Sequence, residues 1–140
     1  MSAEFVDTNV LLYAFSQDNP AKRERAQSLL DRLWQGGTGR LSTQVLQEFY
    51  VNATRKLALP VSPEQAQAVI LSLSQWDYHR PDAQDILAAA VLAQRHQISF
   101  WDAMIVHSAE ALGANLLWSE DLNPGQRFGV VEVRNPFQEH

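Results

Sequence analysis

The stretch EFVDTNVLLYAF, residues 4–15, sets the fold and raises the main question about this chain. Phe5 and Val6 are typical of a strand entering a core, and the apolar run at residues 10–13 is typical of core again. Asp7 stands between them, and a carboxylate is costly to desolvate unless hydrogen bonds, a cation or a metal ion compensate. The stretch therefore predicts a buried strand that ends in an aspartate needing a partner.

Composition limits the class of protein. The chain has 140 residues, 46% of them apolar and 19% charged, which predicts one globular domain over residues 1–140 and excludes a disordered protein. Because there is no cysteine, disulfides and thiolate metal sites are excluded. The longest apolar run, residues 86–93, is far shorter than the roughly 20 residues that span a bilayer. The start of the chain lacks the basic segment of a secretory signal, so we expect a cytoplasmic protein without a membrane contact.

The net charge of −5 argues against a protein that binds nucleic acid through bulk basicity. It does not exclude an enzyme that acts on nucleic acid. Carboxylates that hold divalent cations make the metal-free protein more acidic than the working form. The charge therefore leaves a metal-dependent nuclease open.

Strand and helix patterns alternate along the chain. Strands are predicted at residues 4–7, 40–42, 78–79, 116–119 and 130–133, and helices at residues 8–15, 20–35, 43–57, 63–76, 82–96 and 100–112. This alternation predicts a parallel sheet covered by helices on both faces, a three-layer α/β/α sandwich.

Four acidic residues fall where such a sheet binds ligands, at the carboxyl ends of its strands. Asp7 ends the first strand and Asp121 follows the strand at residues 116–119. Glu48 and Asp102 lie in the second and first turns of helices that follow extended segments. Oxygen-only ligands suit hard cations such as Mg²⁺ or Mn²⁺, so the pattern predicts a metal site formed by these four acids.

Each acid also has a local structural explanation. Asp7 fits the N-cap of the following helix. The sequence around Asp102 resembles a capping box. Glu48 lies opposite the apolar stripe of its helix and fits a solvated surface, while Asp121 fits a turn. Each of these explanations accounts for one residue, whereas a metal site accounts for all four.

Four motifs resemble those of the PIN-domain family, and more narrowly the toxin ribonucleases of VapBC-type toxin–antitoxin pairs. They are FVDTNVLLYAF, LSTQVLQEFY, ISFWDAMIVHSA and LLWSEDLNPG, in the family's order and near its spacing over essentially the whole chain. The resemblance implies a PIN-like fold with a central, mostly parallel five-stranded sheet in the order 3-2-1-4-5. It places the family's catalytic and metal-binding acids on Asp7, Glu48, Asp102 and Asp121.

The resemblance also implies supporting residues. Thr8 and Asn9 stand beside the first acid, and Ser119 stands where the family has a serine or threonine that helps to orient the site. Glu120 fills a variable position for which no role is expected. His107 competes for the role of general base, but a structural or partner-facing histidine is the better expectation.

An activity and a set of partners follow from the same resemblance. The chain is expected to hydrolyse RNA phosphodiester bonds with Mg²⁺ or Mn²⁺, with Asp7 and Asp102 as principal ligands. Family toxins dimerise and are silenced by a small antitoxin protein, so we expect a homodimer and an antitoxin partner. Trp34, Leu57 and Leu59 are candidates for the groove that receives the antitoxin.

Two alternatives remain open at this point. A catalytically silent PIN-like scaffold would keep the fold without binding metal. A phosphatase of the haloacid-dehalogenase type needs a second aspartate two residues after Asp7, where this chain has Asn9. It also needs a positioned lysine, whereas the chain has only Lys22 and Lys56.

Overall fold

The stretch at residues 4–15 folds into a strand and a short helix, as predicted. Strand β1, Ala3–Val6, is buried along its whole length, and helix α1, Thr8–Tyr13, follows it after Asp7. The computed structural model describes residues 2–138, so the predicted domain limits at residues 1 and 140 lie outside the described range.

The sheet has β1 at its centre. The further strands are β2 (Gly39–Ser42), β3 (Asp77–His79), β4 (Ala114–Trp118), β5 (Arg127–Phe128) and β6 (Val131–Arg134). Their order is β3-β2-β1-β4-β6-β5, and every pair is parallel except β5 with β6. The five predicted strands and their order are thus confirmed, with β6 as the fifth.

Over residues 2–138 the sheet has six strands, which corrects the predicted count of five. Strand β5 has only two residues and pairs antiparallel to β6, with Phe128 opposite Val131. So short a strand carries no alternating pattern, and sequence periodicity could not have revealed it. This hairpin extends the sheet beyond β6 and leaves the central parallel order unchanged.

The described part of the chain has six helices, which pack in two groups. After α1 come α2 (Pro20–Gly36), α3 (Thr43–Arg55), α4 (Pro63–Leu73), α5 (Ala83–His96) and α6 (Phe100–Ala111). Helices α1 to α4 contact one another, and α5 packs on α6. No helix within residues 2–138 is both long and apolar enough to cross a membrane.

Polar caps fix where the helices begin. The side chains of Ser42, Ser62 and Ser99 accept hydrogen bonds from the first turns of α3, α4 and α6. Each cap satisfies a backbone N–H that the helix itself leaves without a partner. Ser42 also ends β2, so α3 begins at the carboxyl end of that strand, and the bond from Gln44 to the Trp101 carbonyl oxygen holds the first turn of α6 beside it.

Candidate active site

The four predicted acids lie at the carboxyl end of the parallel strands. Asp7 follows β1 directly, and its backbone N–H donates to the carbonyl oxygen of Trp118 on β4 at 2.9 Å. Asp121 comes three residues after β4. Glu48 lies in the second turn of α3 and Asp102 in the first turn of α6. The neighbouring strands β1 and β4 therefore bring the first and last acids of the chain to one edge.

Asp7 is buried, with only 5% of its surface exposed, and hydrogen bonds surround it. Its Oδ1 accepts from the backbone N–H of Thr8 at 2.7 Å. Its Oδ2 accepts from the hydroxyl of Ser119 at 2.8 Å and from the amide of Asn9 at 3.5 Å. The Asp7 N-cap role is thus real, and it occupies only part of the carboxylate's acceptor capacity.

Glu48 is joined to the Asp7 segment through Thr8. The Thr8 hydroxyl donates to Glu48 Oε1 at 2.8 Å, and the side-chain amide of Gln44 donates to Oε2 at 3.5 Å. The interpretation of Glu48 as a solvated surface residue is therefore wrong, because the side chain is half-buried and directed at α1. Thr8 contacts an acid of the site, as the prediction of a supporting role requires.

Asp121 and Asp102 belong to the same group of acids because their charges interact. The Asp121 backbone N–H donates to Ser119 Oγ at 3.1 Å, so one buried serine contacts two of the acidic segments. The negative charge of Asp121 acts on both Asp7 and Asp102. The Ser99 hydroxyl accepts from the Asp102 backbone N–H at 3.0 Å, which confirms half of the predicted capping box.

Burial and mutual repulsion raise the pKa values of two of these acids. The pKa of Asp7 is raised to about 7, chiefly by burial and further by the charges of Asp121 and Glu48, against the lowering effect of its bonds from Ser119 and Thr8. Burial also raises the pKa of Asp102, and Asp121 adds to that effect. A nearby positive charge would stabilise the ionised forms of these carboxylates.

Two other acids near the sheet differ from these because each has a basic partner. Glu4 is buried but is held by a two-pronged ion pair with Arg32 at 2.9 and 3.0 Å, which lowers its pKa. Glu120 pairs with Lys22 and accepts from the Tyr13 hydroxyl at 3.0 Å. Within residues 2–138, none of the four predicted site acids has a basic partner. The site is thus an uncompensated acidic cluster.

The cluster is not assembled around one point. Within residues 2–138, no three acidic or histidine side chains are close enough together to hold a single metal ion. Hydroxyl and amide groups donate hydrogen bonds to oxygens of Asp7 and Glu48, and carboxylates without a compensating positive charge repel one another. The oxygen-only donors fit a hard divalent cation, while the metal-ligand roles of the four residues stay predictions.

Sequence reasoning missed Gln44. This side chain, 9% exposed, donates to Glu48 and to the Trp101 carbonyl oxygen at 3.3 Å. The spacing of Gln44 and Glu48, four residues apart on one helix, was the available signal. His107, by contrast, bonds to Asp85 at 2.7 Å rather than to a site acid, which agrees with a structural role.

A cavity of about 340 Å³ opens at Asn9, whose side chain bonds to Asp7. Asn9 and Glu120 line one side, and Asn52, Lys56 and Leu57 of the α3 end line another. Leu57 therefore lies near the site, whereas Leu59 lines a separate groove. Trp34 packs against Trp76 with ring centroids 5.9 Å apart and lines neither.

Comparison with known proteins gives a family match and several similar folds. The family model described as the PIN domain matches residues 5–126. No curated protein matches the chain.

Solved structures with this fold include toxins and their complexes. A toxin–antitoxin complex from Klebsiella pneumoniae has 24% identity and a TM-score of 0.70, covering 96% of this chain and 98% of that one. VapC20 of Mycobacterium tuberculosis, described as a sarcin-ricin loop cleaving toxin, has 18% identity and a TM-score of 0.65, with coverages of 85% and 90%. A DNA-bound VapBC from Salmonella typhimurium has 21% identity and a TM-score of 0.63, with coverages of 97% and 99%. At these identities the likeness shows the fold.

Proposed function

The chain belongs to the PIN-domain family, and from this premise we propose that it is a divalent-metal-dependent ribonuclease and the toxin of a type II toxin–antitoxin pair. One observation carries the proposal. Asp7, Glu48, Asp102 and Asp121 share one edge of the sheet without a basic partner in the described part of the chain, although Glu4 and Glu120 nearby have one.

Mg²⁺ or Mn²⁺ fits the oxygen donors of this cluster. We propose that Asp7 and Asp102 are the principal ligands, with Asp121 and Glu48 holding a second ion or positioning water. When bound, such an ion lowers the pKa of a water molecule and polarises a phosphate. A cation would also favour the ionised form of Asp7, whose pKa burial raises to about 7.

The chain's own residues orient the acids. Ser119 donates to Asp7 and accepts from the Asp121 backbone, so it fixes two acids relative to each other. Thr8 places its hydroxyl on Glu48. Asn9 bonds to Asp7 and accepts from the Glu120 backbone N–H at 3.2 Å. These contacts are the orienting shell that a metal-dependent hydrolase needs around its ligands.

Single substitutions test the proposal. Asp7→Asn and Asp102→Asn keep side-chain size and remove a negative charge, so each should reduce cleavage of structured RNAs with Mg²⁺ or Mn²⁺ at least a hundredfold. Asp31→Asn, the same change at an exposed position of α2, is the matched control and should cleave like the parent. Mapping the RNA ends would identify the product. Undiminished cleavage by both site variants would contradict the assignment.

The scaffold alternative has one observation in its favour, because no three ligands are preassembled within residues 2–138. Calorimetric titration with Mn²⁺ separates the two. A parent protein that binds Mn²⁺ less well after Asp7→Asn supports the enzyme. A parent protein that binds no Mn²⁺ and cleaves no RNA supports the scaffold.

We further propose an antitoxin partner, a homodimer and a cytoplasmic location. The Klebsiella and Salmonella neighbours are toxin–antitoxin complexes, which supports a partner of that kind. A groove of about 670 Å³, lined by Phe15, Leu59, Val61 and Val69 among others, offers apolar surface for it. As a toxin, this chain should arrest growth when it is expressed alone. Co-expression with a small protein from the neighbouring reading frame should relieve that arrest and yield a stable complex on size-exclusion chromatography.

A further inference from the structure

The side chain of Gln44 connects two elements of the candidate site. It lies in the first turn of α3, just after the Ser42 cap. Its Nε2 donates to Glu48 Oε2 at 3.5 Å on its own helix and to the carbonyl oxygen of Trp101 at 3.3 Å on α6. Trp101 directly precedes Asp102, so one amide contacts one site acid and the backbone that carries another.

The two acceptors fix the orientation of the Gln44 amide. The oxygen and nitrogen of an amide are assigned from the hydrogen bonds around them. Both groups next to Nε2, a carboxylate oxygen and a carbonyl oxygen, can only accept. A flipped amide would place its own oxygen against both, so Oε1 points away from these partners.

The remaining atom, Oε1, has no hydrogen-bond partner. It is the buried side-chain polar atom left without one in the part of the chain that the structure describes, and Gln44 as a whole is only 9% exposed. Most buried polar groups are satisfied, so an exception needs an explanation. Both bonds of Nε2 are also long for N–H donors. Gln44 thus contributes little stability for a buried amide.

We propose that Gln44 is a positioning residue of the active site, holding Glu48 and the first turn of α6 at a cost to the stability of the fold. This inference rests on the proposed ribonuclease function. Among the hydrogen bonds within residues 2–138, Glu48 accepts from Thr8 on α1 and from Gln44 on α3, and of these two donors Gln44 also reaches α6. Its amide therefore sets the position of Glu48 relative to the segment that bears Asp102.

If Gln44 has this role, one substitution should leave the stability of the fold unchanged or raise it, and should lower metal affinity and activity. Gln44→Met keeps the length of the side chain and removes both the donor and the unsatisfied acceptor. Replacing a poorly bonded buried amide by an apolar group of similar shape is neutral or stabilising. Removing a group that orients a metal ligand costs about tenfold to a hundredfold in metal affinity or activity.

The first experiment measures both responses in one variant. In Gln44→Met, the melting temperature in EDTA should equal or exceed that of the parent, while the Kd for Mn²⁺ and the RNA cleavage rate worsen about tenfold. Gln47→Met, the same change at an exposed position of the same helix, is the matched control and should alter neither. A variant that retains parental Mn²⁺ affinity and cleavage overturns the proposal. A fall of more than a few degrees in melting temperature also overturns it, because Gln44 would then be a structural residue.

A second variant tests the donor itself. In Gln44→Glu, the introduced carboxyl faces Glu48 Oε2 and the Trp101 carbonyl and can donate to them only when protonated. The cleavage rate of Gln44→Glu at pH 8 should therefore fall at least as far as that of Gln44→Met. Cleavage by Gln44→Glu at the parent rate overturns the assignment of Nε2 as the positioning donor.

The two proposals fail in different ways. If the parent neither binds Mn²⁺ nor cleaves RNA, the ribonuclease proposal fails. If the parent does both and Gln44→Met does both equally well, only the role of Gln44 fails.

Discussion

Asp7 and Glu4 are two buried carboxylates of one strand region with opposite electrostatic environments. Glu4, 8% exposed, is paired with Arg32, which lowers its pKa. Asp7, 5% exposed, accepts hydrogen bonds from hydroxyl and amide groups and, within residues 2–138, from no basic side chain, and its pKa is raised to about 7, chiefly by burial. Since a buried carboxylate without a cation is costly, Asp7 marks where the molecule needs an added positive charge.

The first prediction concerns the stability of the metal-free protein. Between the ordinary pKa of 3.8 and the native value of about 7, the folded state keeps a proton on Asp7 that the unfolded chain has released. This contribution to stability is therefore complete below about pH 4 and is lost as the pH rises through about 7. At 1.36 kcal/mol per pKa unit, the loss amounts to roughly 4 kcal/mol.

Asp7→Asn should remove this pH dependence. Urea unfolding in EDTA should find the variant more stable than the parent at pH 8, with a smaller advantage at pH 5. Asp31→Asn serves again as the control, since it removes an exposed charge. Parallel stability curves for parent and Asp7→Asn would contradict the assigned burial effect.

At the scale of the element, a stripe of polar residues runs along α3 from the candidate site to the neighbouring cavity. Gln44, Glu48 and Asn52 follow one another at four-residue intervals and so share a face of α3, and Lys56, the C-cap residue, follows four residues after Asn52. At a rise of 1.5 Å per residue, Lys56 lies about 12 Å from Glu48. Within residues 2–138, Lys56 forms no ion pair. The stripe can thus present a cation to a phosphate of the substrate backbone.

Lys56→Met should therefore weaken the binding of RNA. An exposed charge contact contributes up to about 1 kcal/mol, so KM should rise up to about fivefold. The slope of log affinity against log salt concentration should fall by about 0.7 for a single strand. Arg55→Met, the loss of the same charge one residue earlier on α3, is the control. Equal effects of the two changes would indicate net charge rather than a local contact.

Local patterns predicted the elements well and their cross-contacts poorly. The polar caps and the apolar strand cores gave β1, β2, β4 and the helix starts, because those signals are local. Helix α3 ends at Arg55 rather than at residue 57, and α4 ends at Leu73 rather than near residue 76. Helix ends fray and respond to tertiary contacts, so a sequence pattern places them less well.

The site was predictable to the level of its acids but not of its connections. Asp7 and Asp121 follow strand patterns, so a sheet rule places them at one edge. The Gln44 bond to the Trp101 carbonyl joins residues 57 positions apart through the backbone of another helix. No spacing rule specifies such a contact, because it depends on how α3 and α6 pack.

At the scale of the whole molecule, the net charge of −5 and the uncompensated acids predict that divalent cations stabilise the fold. At a free ion concentration of a hundred times Kd, binding to the native state alone adds about 2.7 kcal/mol. For a domain of this size that corresponds to a rise of roughly 10 °C in melting temperature.

A thermal melt with and without Mn²⁺ checks this expectation. The parent and Asp31→Asn should shift by similar amounts, whereas Asp7→Asn should lose most of the shift. Equal shifts in parent and Asp7→Asn would mean that the stabilising ion binds elsewhere on the acidic surface.

The pairing of β1 with β4 has a consequence for synthesis. Strand β1 leaves the ribosome long before its partner β4, which begins at Ala114 and pairs Trp118 with Val6. Until that late segment has emerged, Asp7 has neither Ser119 nor Asp121 beside it. The proposed nuclease site therefore forms only after β4 and the residues that follow it have been synthesised.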